Sequence, residues 1–362
     1  KLVTTTIHTI SSPFILALNI MSSNTAAFLT GDGAPLEVKP APYPSPQDDQ
    51  VVVKGYALAL NPVDHAQQTY GPKVFAWLKY PAVLGCDVAG EVVEVGSGVT
   101  KFKVGDRVAG CTMGTFQQYV ALQEQMVAPL PDAISYEDAS VLPLCLSVAV
   151  KSLFHPDYLA LDLPTLNPVP KDKTVLIWGG STSVGCNVIQ LAKASGYEVI
   201  TTASPGNFEY VKKLGADQVF DYNAPDVKDQ LVSAVKGKTV AGAIANGGMD
   251  PSQYEAIVDA CAAVALSSPV SGSNRLVPLT MVPRFALPQG VETKFVESLL
   301  GDAEHKDLAA RIFNTFVPEA LANGSVVSAP KAKVVGHGLD ALQSALETLR
   351  AGASATKIVV TL

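Results

Sequence analysis

The chain has 362 residues, enough for two domains with cores of their own. Hydrophobic residues make up 48% and charged residues 16%, the balance of an ordinary globular protein, which excludes a disordered or fibrous chain. The formal net charge of −7 leaves no basic footprint for nucleic acid or an anionic membrane.

The first twenty residues stand apart. "SSPFILALNI" is too short to span a bilayer, and with Lys1 as the only early charge and no A-x-A site it makes a poor signal peptide. Met21 opens "MSSNTAAFLTGDGAPLEV", which reads as a first strand and turn. Residues 1–20 are therefore expected to be a leader segment, with a degenerate targeting peptide as the alternative. From 21 to 146 short β-branched runs ("QVVVKGYALAL", "DVAGEVVEVG", "DRVAG", "FQQYVAL") alternate with Gly, Pro and Asp, the pattern of a compact β-rich domain. The proline-punctuated "YLALDLPTLNPVP" (158–170) is expected as a surface insert.

Near Lys171 the regime changes. "KTVLIWGG" is a buried strand, "VGCNVIQLAKASG" a helix with Val184, Val188, Ile189 and Ala192 on its apolar side, "YEVITTAS" the next strand and "NFEYVKKLG" the next helix. The alternation continues through "QVFDY", "APDVKDQLVSAVKG", "TVAGAIANGG", "SQYEAIVDAC" and "AVALSS", predicting a doubly wound parallel sheet over 147–300. The tail, 301–362, holds two amphipathic helices and a closing strand, "TKIVVTL", that need not join the parallel sheet.

The strongest local signal is "VLIWGGSTSVGCNVIQLAK", a strand, a small-residue turn and an immediate helix. Such a turn presents free N–H groups and the positive end of a helix dipole to an anion, normally a pyrophosphate. Gly180 and Gly185 fit a G-x-G-x-x-G frame whose middle position is Thr182, and Ser181 and Ser183 add hydroxyls. An NAD site asks for an acid about twenty residues on, at the end of the second strand. Here that strand runs into "SPGN", Ser204, Pro205, Gly206 and Asn207, with no carboxylate before Glu209 and with Lys212 nearby. The same loop also suits a helix N-cap. The expected cofactor is NADPH.

These motifs, with "ALNPVDH" (59–65), "GCDVAGEVVEVGSGV", "GDRV", "ASPGNFEYVKKLGADQVFDYNAPD" and "ASATKIVV", resemble the medium-chain dehydrogenase/reductase superfamily. Its zinc-free quinone oxidoreductase-like branch, and within it the fungal trans-acting enoyl reductases, is the nearest in look. The resemblance implies an α/β chain: a GroES-like β-rich catalytic domain plus a Rossmann doubly wound parallel sheet, with the C-terminus returning to the first domain. It places Asn61, Pro62, Val63 and Asp64 beside the nicotinamide, Ser181 to Val184 at the pyrophosphate, and Ser204, Asn207, Lys212 and Tyr222 at the adenosine ribose phosphate. It also implies Leu144, Cys145, Leu146, Ser147 and Val148 along the substrate cleft, and Ala353 and Ser354 in a closing contact to the cofactor. Tyr70 stands near the place of a proton-donating tyrosine in some enoyl reductases, two residues out of step, so an ordinary half-buried tyrosine is the competing reading.

In zinc-bearing members the metal is held by a Cys, a His and a second Cys or carboxylate. The matching positions here are Asn61, Cys86 and Cys145, a poor set because a neutral amide replaces imidazole or thiolate. The stretch after Val108 has Cys111 alone where a four-cysteine structural lobe would stand. No metal is expected. The five cysteines, Cys86, Cys111, Cys145, Cys186 and Cys261, form no CxxC pair and read as buried small hydrophobes in a reducing compartment, the cytoplasm.

The expected activity is hydride transfer from NADPH to an activated C=C bond, enoyl or enone, or to a quinone, without a metal. The catalytic candidates are Asn61, Asp64 and Tyr70. A zinc alcohol dehydrogenase with atypical ligands and a non-catalytic NADPH-binding protein are the alternatives. The apolar loops "TYGPKVFAWLKYPAV" and "SGSNRLVPLTMVPRFALPQG" suit a small hydrophobic substrate, free or on a carrier protein. Monomer and homo-oligomer both stay open.

Overall fold

The computed structural model describes residues 23–247, 251–267 and 275–362. The expected leader, 1–20, lies outside the described residues, as does Ser271–Asn274 of the second apolar loop.

Seven strands form the first large sheet. Lys331–His337, Thr356–Thr361, Gln50–Ala59, Asp87–Val95, Arg107–Cys111 and Val127–Pro129 lie side by side in that order, and Tyr119–Gln123 pairs along the first half of Gln50–Ala59. The long strand carries β-branched residues on both faces because both are covered: Val51, Val52 and Val53 are all fully buried. Its second half takes the last strand of the chain, with Ala59 opposite Val359 and Leu58 opposite Val360. Ile358, Val359 and Val360 are buried there, and each contributes about 1.5–3 kcal/mol to holding the tail in place. The end of the sequence is thereby built into the sheet of its beginning.

The second sheet is parallel, in the order Gln218–Asp221, Glu198–Ala203, Lys173–Ile177, Thr239–Ile244. A bridge from Ala245 to Leu279 joins it to the parallel pair Leu276–Leu279 and Glu292–Phe295. The helices Ser183–Ala194, Phe208–Lys213 and Val227–Ala234 make the crossovers that parallel strands require. The expected α/β architecture, a β-rich unit plus a doubly wound parallel sheet, is the one observed.

Two local expectations change. The first four residues of "AVALSS" are not a strand: they are the end of the helix Pro251–Leu266. Val258, Cys261, Val264 and Ala265 recur at helical spacing and are all buried, so the apolar run continues one helix face. The segment 158–170 is only partly at the surface, since Tyr158 and Leu159 are buried while Val169 is 75% exposed. In the tail, the helical run Lys306–Asn323 contains a π turn at Arg311–Phe316. It stands ahead of Pro318, which has no N–H to continue the regular ladder.

The two sheets share a core. Ala57, Ala59 and Cys111 of the first pack in one cluster with Val175, Ile177 and Val199 of the second, around the helix Pro143–Phe154 that crosses between them. The carboxyl ends of the parallel strands thus open toward the first sheet, where ligands of such folds bind. Among the described residues no helix is long and apolar enough to cross a membrane.

Candidate active site

The turn after Lys173–Ile177 is held by its own residues. Gly179 has φ +77° and would be strained with any side chain. Thr182 caps the helix Ser183–Ala194: its Oγ1 accepts from Gly185 N at 3.0 Å and donates to the Gly179 carbonyl at 2.9 Å. Asn246, just past the strand Thr239–Ile244, donates to the same hydroxyl at 2.7 Å. A Cβ on Gly185 would run into the Gly179 carbonyl oxygen and the Gly180 backbone, so strand and helix meet here at glycine distance. The N–H groups of Ser183 and Val184, in the first helical turn, have no intrahelical acceptor. Such groups, at the positive end of a helix, suit an anion.

Beside this turn the structure gathers three segments. Asn207 Nδ2 lies 3.0 Å from Ser204 Oγ, 3.1 Å from Ser354 Oγ and 3.5 Å from Ser181 Oγ. Candidate residues of the phosphate turn, the second-strand loop and the C-terminal loop are therefore one hydrogen-bonded group. Ala353, Pro205 and Gly206 are exposed around it. Lys212 is exposed and pairs with Glu209 at 3.0 Å, and Tyr222 is 44% exposed.

Deeper, where both sheets meet, sits a buried polar cluster. Asn61 is the N-cap of the helix Pro62–Tyr70, and its Nδ2 donates to Asp87 Oδ2 at 2.8 Å. The other Asp87 oxygen accepts from Leu144 N at 2.6 Å. Lys357, from the closing strand, donates to Asn61 Oδ1 at 2.5 Å and stands 3.3 Å from Asp87 Oδ2 and 3.6 Å from Cys145 Sγ. These bonds decide which end of the Asn61 amide is which. Burial alone would favour loss of the Lys357 proton, but Cys145 and the Asp87 carboxylate outweigh it and its pKa lies above the usual value. Burial pushes the Cys86, Cys111 and Cys145 thiols up, opposed at Cys145 by Lys357. Gly85, at φ +92° against the Phe116 ring, makes the bend that delivers Cys86 and Asp87 here.

The remaining candidates divide. Asp64 is fully buried, accepting from Asn61 N at 2.7 Å and from the Cys86 thiol at 3.6 Å. Burial, against the opposing Asn61 N–H bond and with help from Asp87, raises its pKa to about 7. Pro62 is exposed and Val63 half-buried beside it. Tyr70 does not join the cluster. It is 54% exposed at the far end of the helix, about 12 Å along the axis from Pro62. In the helix Pro143–Phe154, Leu144 and Val148 keep partly exposed surface on one face. Leu146 is instead in the core, and Ser147 is buried with its hydroxyl bonded to the Leu144 carbonyl at 2.8 Å.

Sequence reasoning missed Gly179, Asn246, Asp87 and Lys357. The doubled glycine in "WGG" and the Cys86-Asp87 pair were visible, and a lysine opening an apolar last strand was the available signal for Lys357. Away from the site, His155 Nε2, His305 Nδ1 and Asp302 converge, with 2.9 Å between the two ring nitrogens. Asp157 N donates to His155 Nδ1 at 3.0 Å and Lys151 pairs with Asp302 at 3.3 Å, so this group clasps the crossing helix to the returning chain.

Comparison with known proteins agrees with this layout. The family model of the alcohol dehydrogenase GroES-like domain matches residues 47–132, and that of the zinc-binding dehydrogenases matches 183–283. The chain is 47% identical to dehydrogenase azaJ of Aspergillus niger over 351 residues, covering 94% of this chain and 100% of that one. It is 38% identical to trans-enoyl reductase himH of Aspergillus japonicus over 337 residues, covering 90% and 93%. Among solved structures, an alcohol dehydrogenase superfamily protein from Novosphingobium aromaticivorans superposes with a TM-score of 0.76 at 25% identity, over 94% of this chain and 99% of that one.

Proposed function

The chain belongs to the medium-chain dehydrogenase/reductase superfamily and is an oxidoreductase of that family, and on that premise we propose that it is an NADPH-dependent, metal-independent reductase of an activated C=C bond or a quinone. Held at the turn of Ser181–Val184 and by the group around Asn207, NADPH would supply a hydride to the β-carbon of an enone or enoyl acceptor, whose carbonyl oxygen would take up the charge. Hydrogen-bond donors then suffice to stabilise it, and solvent or a side chain supplies the proton.

The observation that carries the metal-independent reading is the donor set. Zinc needs deprotonated thiols or imidazole and an open position. Asn61 is a neutral amide, Cys86 and Cys145 are thiols pushed toward the protonated form, and an ammonium already lies among them. These residues do not fit a catalytic zinc. Asn61 keeps one Nδ2 hydrogen outside the Asp87 bond, a donor for the nicotinamide carboxamide or the acceptor carbonyl.

NADPH is favoured over NADH by the group around Asn207. Hydroxyls and an amide end the second strand where an NAD site carries a carboxylate, and Lys212 is one helical turn away. An acceptor bound beside the half-buried Leu144 and Val148 would meet apolar surface, which suits a small hydrophobic molecule, free or carried on a protein. The test is NADPH oxidation by purified protein with an enone, an enoyl thioester and a quinone, each with and without a strong chelator. Turnover unaffected by chelation is expected. No turnover with any acceptor, or loss of it on chelation, overturns the reading.

A further inference from the structure

Lys357 is 3% exposed, in a strand whose next three residues are all buried hydrophobes. Lysines rarely occupy such places unless paired. Its three N–H groups meet three atoms from three separate elements: Asn61 Oδ1 at a helix N-cap, Asp87 Oδ2 at a strand start and Cys145 Sγ in the first turn of the crossing helix. Asn61 and Cys145 are two of the positions that match metal ligands in zinc-bearing members of the superfamily. Asp87 is the one carboxylate of the three and pairs with this lysine.

We propose that Lys357 is the resident cation of the active site: its ammonium occupies the space between Asn61, Asp87 and Cys145 and keeps a divalent metal out. The proposal deepens the metal-independent reading and rests on it. A divalent ion entering the same space would face an ammonium in a site closed to water, where like charges repel strongly. Removing the ammonium lifts that repulsion. It leaves a cavity the size of the lysine side chain lined by a thiol, a carboxylate and an amide oxygen, the chemistry of a transition-metal site.

The experiment is cobalt(II) and zinc uptake by the full chain, wild type against Lys357→Ala, after equilibration and removal of free metal. Wild type is expected to take up neither. Lys357→Ala is expected to hold about one equivalent, with a thiolate-to-cobalt charge-transfer band that disappears in Lys357→Ala/Cys145→Ser. A folded Lys357→Ala that still binds the dinucleotide but takes up no metal overturns the proposal. So does a wild-type protein that shows the Cys145-dependent band itself. If Lys357→Ala is insoluble without metal, cobalt or zinc in the growth medium is expected to restore soluble protein, but not to the Cys145→Ser double variant; no restoration counts against the proposal. Lys357→Arg, which keeps the charge, is expected to stay metal-free. Wild-type turnover is scored separately. An inactive wild type sinks the proposed reaction and leaves the metal result standing, whereas an active, metal-free wild type beside a metal-free Lys357→Ala sinks this assignment alone.

Discussion

Asn207 and Ser354 stand 147 positions apart in the chain, and the side-chain Nδ2 of the first donates to the Oγ of the second over 3.1 Å. The bond joins the loop after the second parallel strand to the loop before the last strand, which is itself sewn into the opposite sheet. Three hydroxyls and one amide converge there, the kind of donors that an anion's oxygens would need. Asn207→Asp puts a fixed negative charge at the centre of this group with little change of shape. Affinity for NADPH is expected to fall about tenfold or more, equivalent to about 1.4 kcal/mol, while NADH changes by less than about threefold. Fluorescence titration with both cofactors checks this, and equal losses for the two would place the 2′-phosphate elsewhere.

The glycines of the cofactor region are not equivalent. Gly185 has backbone of Gly179 and Gly180 against the place of its missing Cβ, whereas Gly206 has nothing within 4 Å and no positive φ. Gly185→Ala is expected to force the helix away from the turn, costing about 1–3 kcal/mol of stability and most of the dinucleotide affinity. Gly206→Ala should change stability by less than about 0.5 kcal/mol. Thermal melts with and without cofactor separate the two cases.

Much of this was legible before any coordinates. The phosphate turn was readable because its signal is local: an apolar strand, small residues and a helix follow one another within about twenty positions. The family resemblance put Asn207 and Ser354 each at the cofactor, but nothing in the sequence joined them to one another, since no periodicity links a loop at 207 to one at 354. Lys357 escaped because its partners, Asn61, Asp87 and Cys145, come from three distant segments, and a lysine in a terminal strand ordinarily reads as an exposed edge charge. "AVALSS" went astray for a different reason. A short apolar run has no period of its own, and only the preceding helical face at Val258 and Cys261 shows that it continues that helix.

Tyr70 offers a sharp contrast with the buried cluster. It lies more than half exposed at the last turn of the helix that Asn61 caps, and its position is set by that helix. A proton donor has to reach the acceptor within hydrogen-bond distance. Tyr70→Phe is therefore expected to change kcat by less than about twofold, whereas Asn61→Ala, which removes the uncommitted amide N–H and a partner of Lys357, should lower it by about tenfold or more. Steady-state kinetics with one enone acceptor decides, and a large loss in Tyr70→Phe would return that hydroxyl to the reaction.

Asp64 makes stability depend on pH with a definite sign. Its carboxyl titrates near 7 in the folded protein, against 3.8 for an unperturbed aspartate. Between these values the folded state holds a proton that the unfolded state releases, so stability from this group is complete below about pH 4 and is lost as pH rises through 7. Each pH unit inside that window costs at most about 1.4 kcal/mol. Asp64→Asn keeps an oxygen for the Asn61 N–H and carries no charge to desolvate. The variant is expected to be less stable than or equal to wild type at pH 5, to gain on it up to about pH 7, and to hold that gain beyond. Urea midpoints for both proteins across that range measure the gap. Parallel curves would mean that Asp64 is ionised throughout, held so by Lys357 across the cluster.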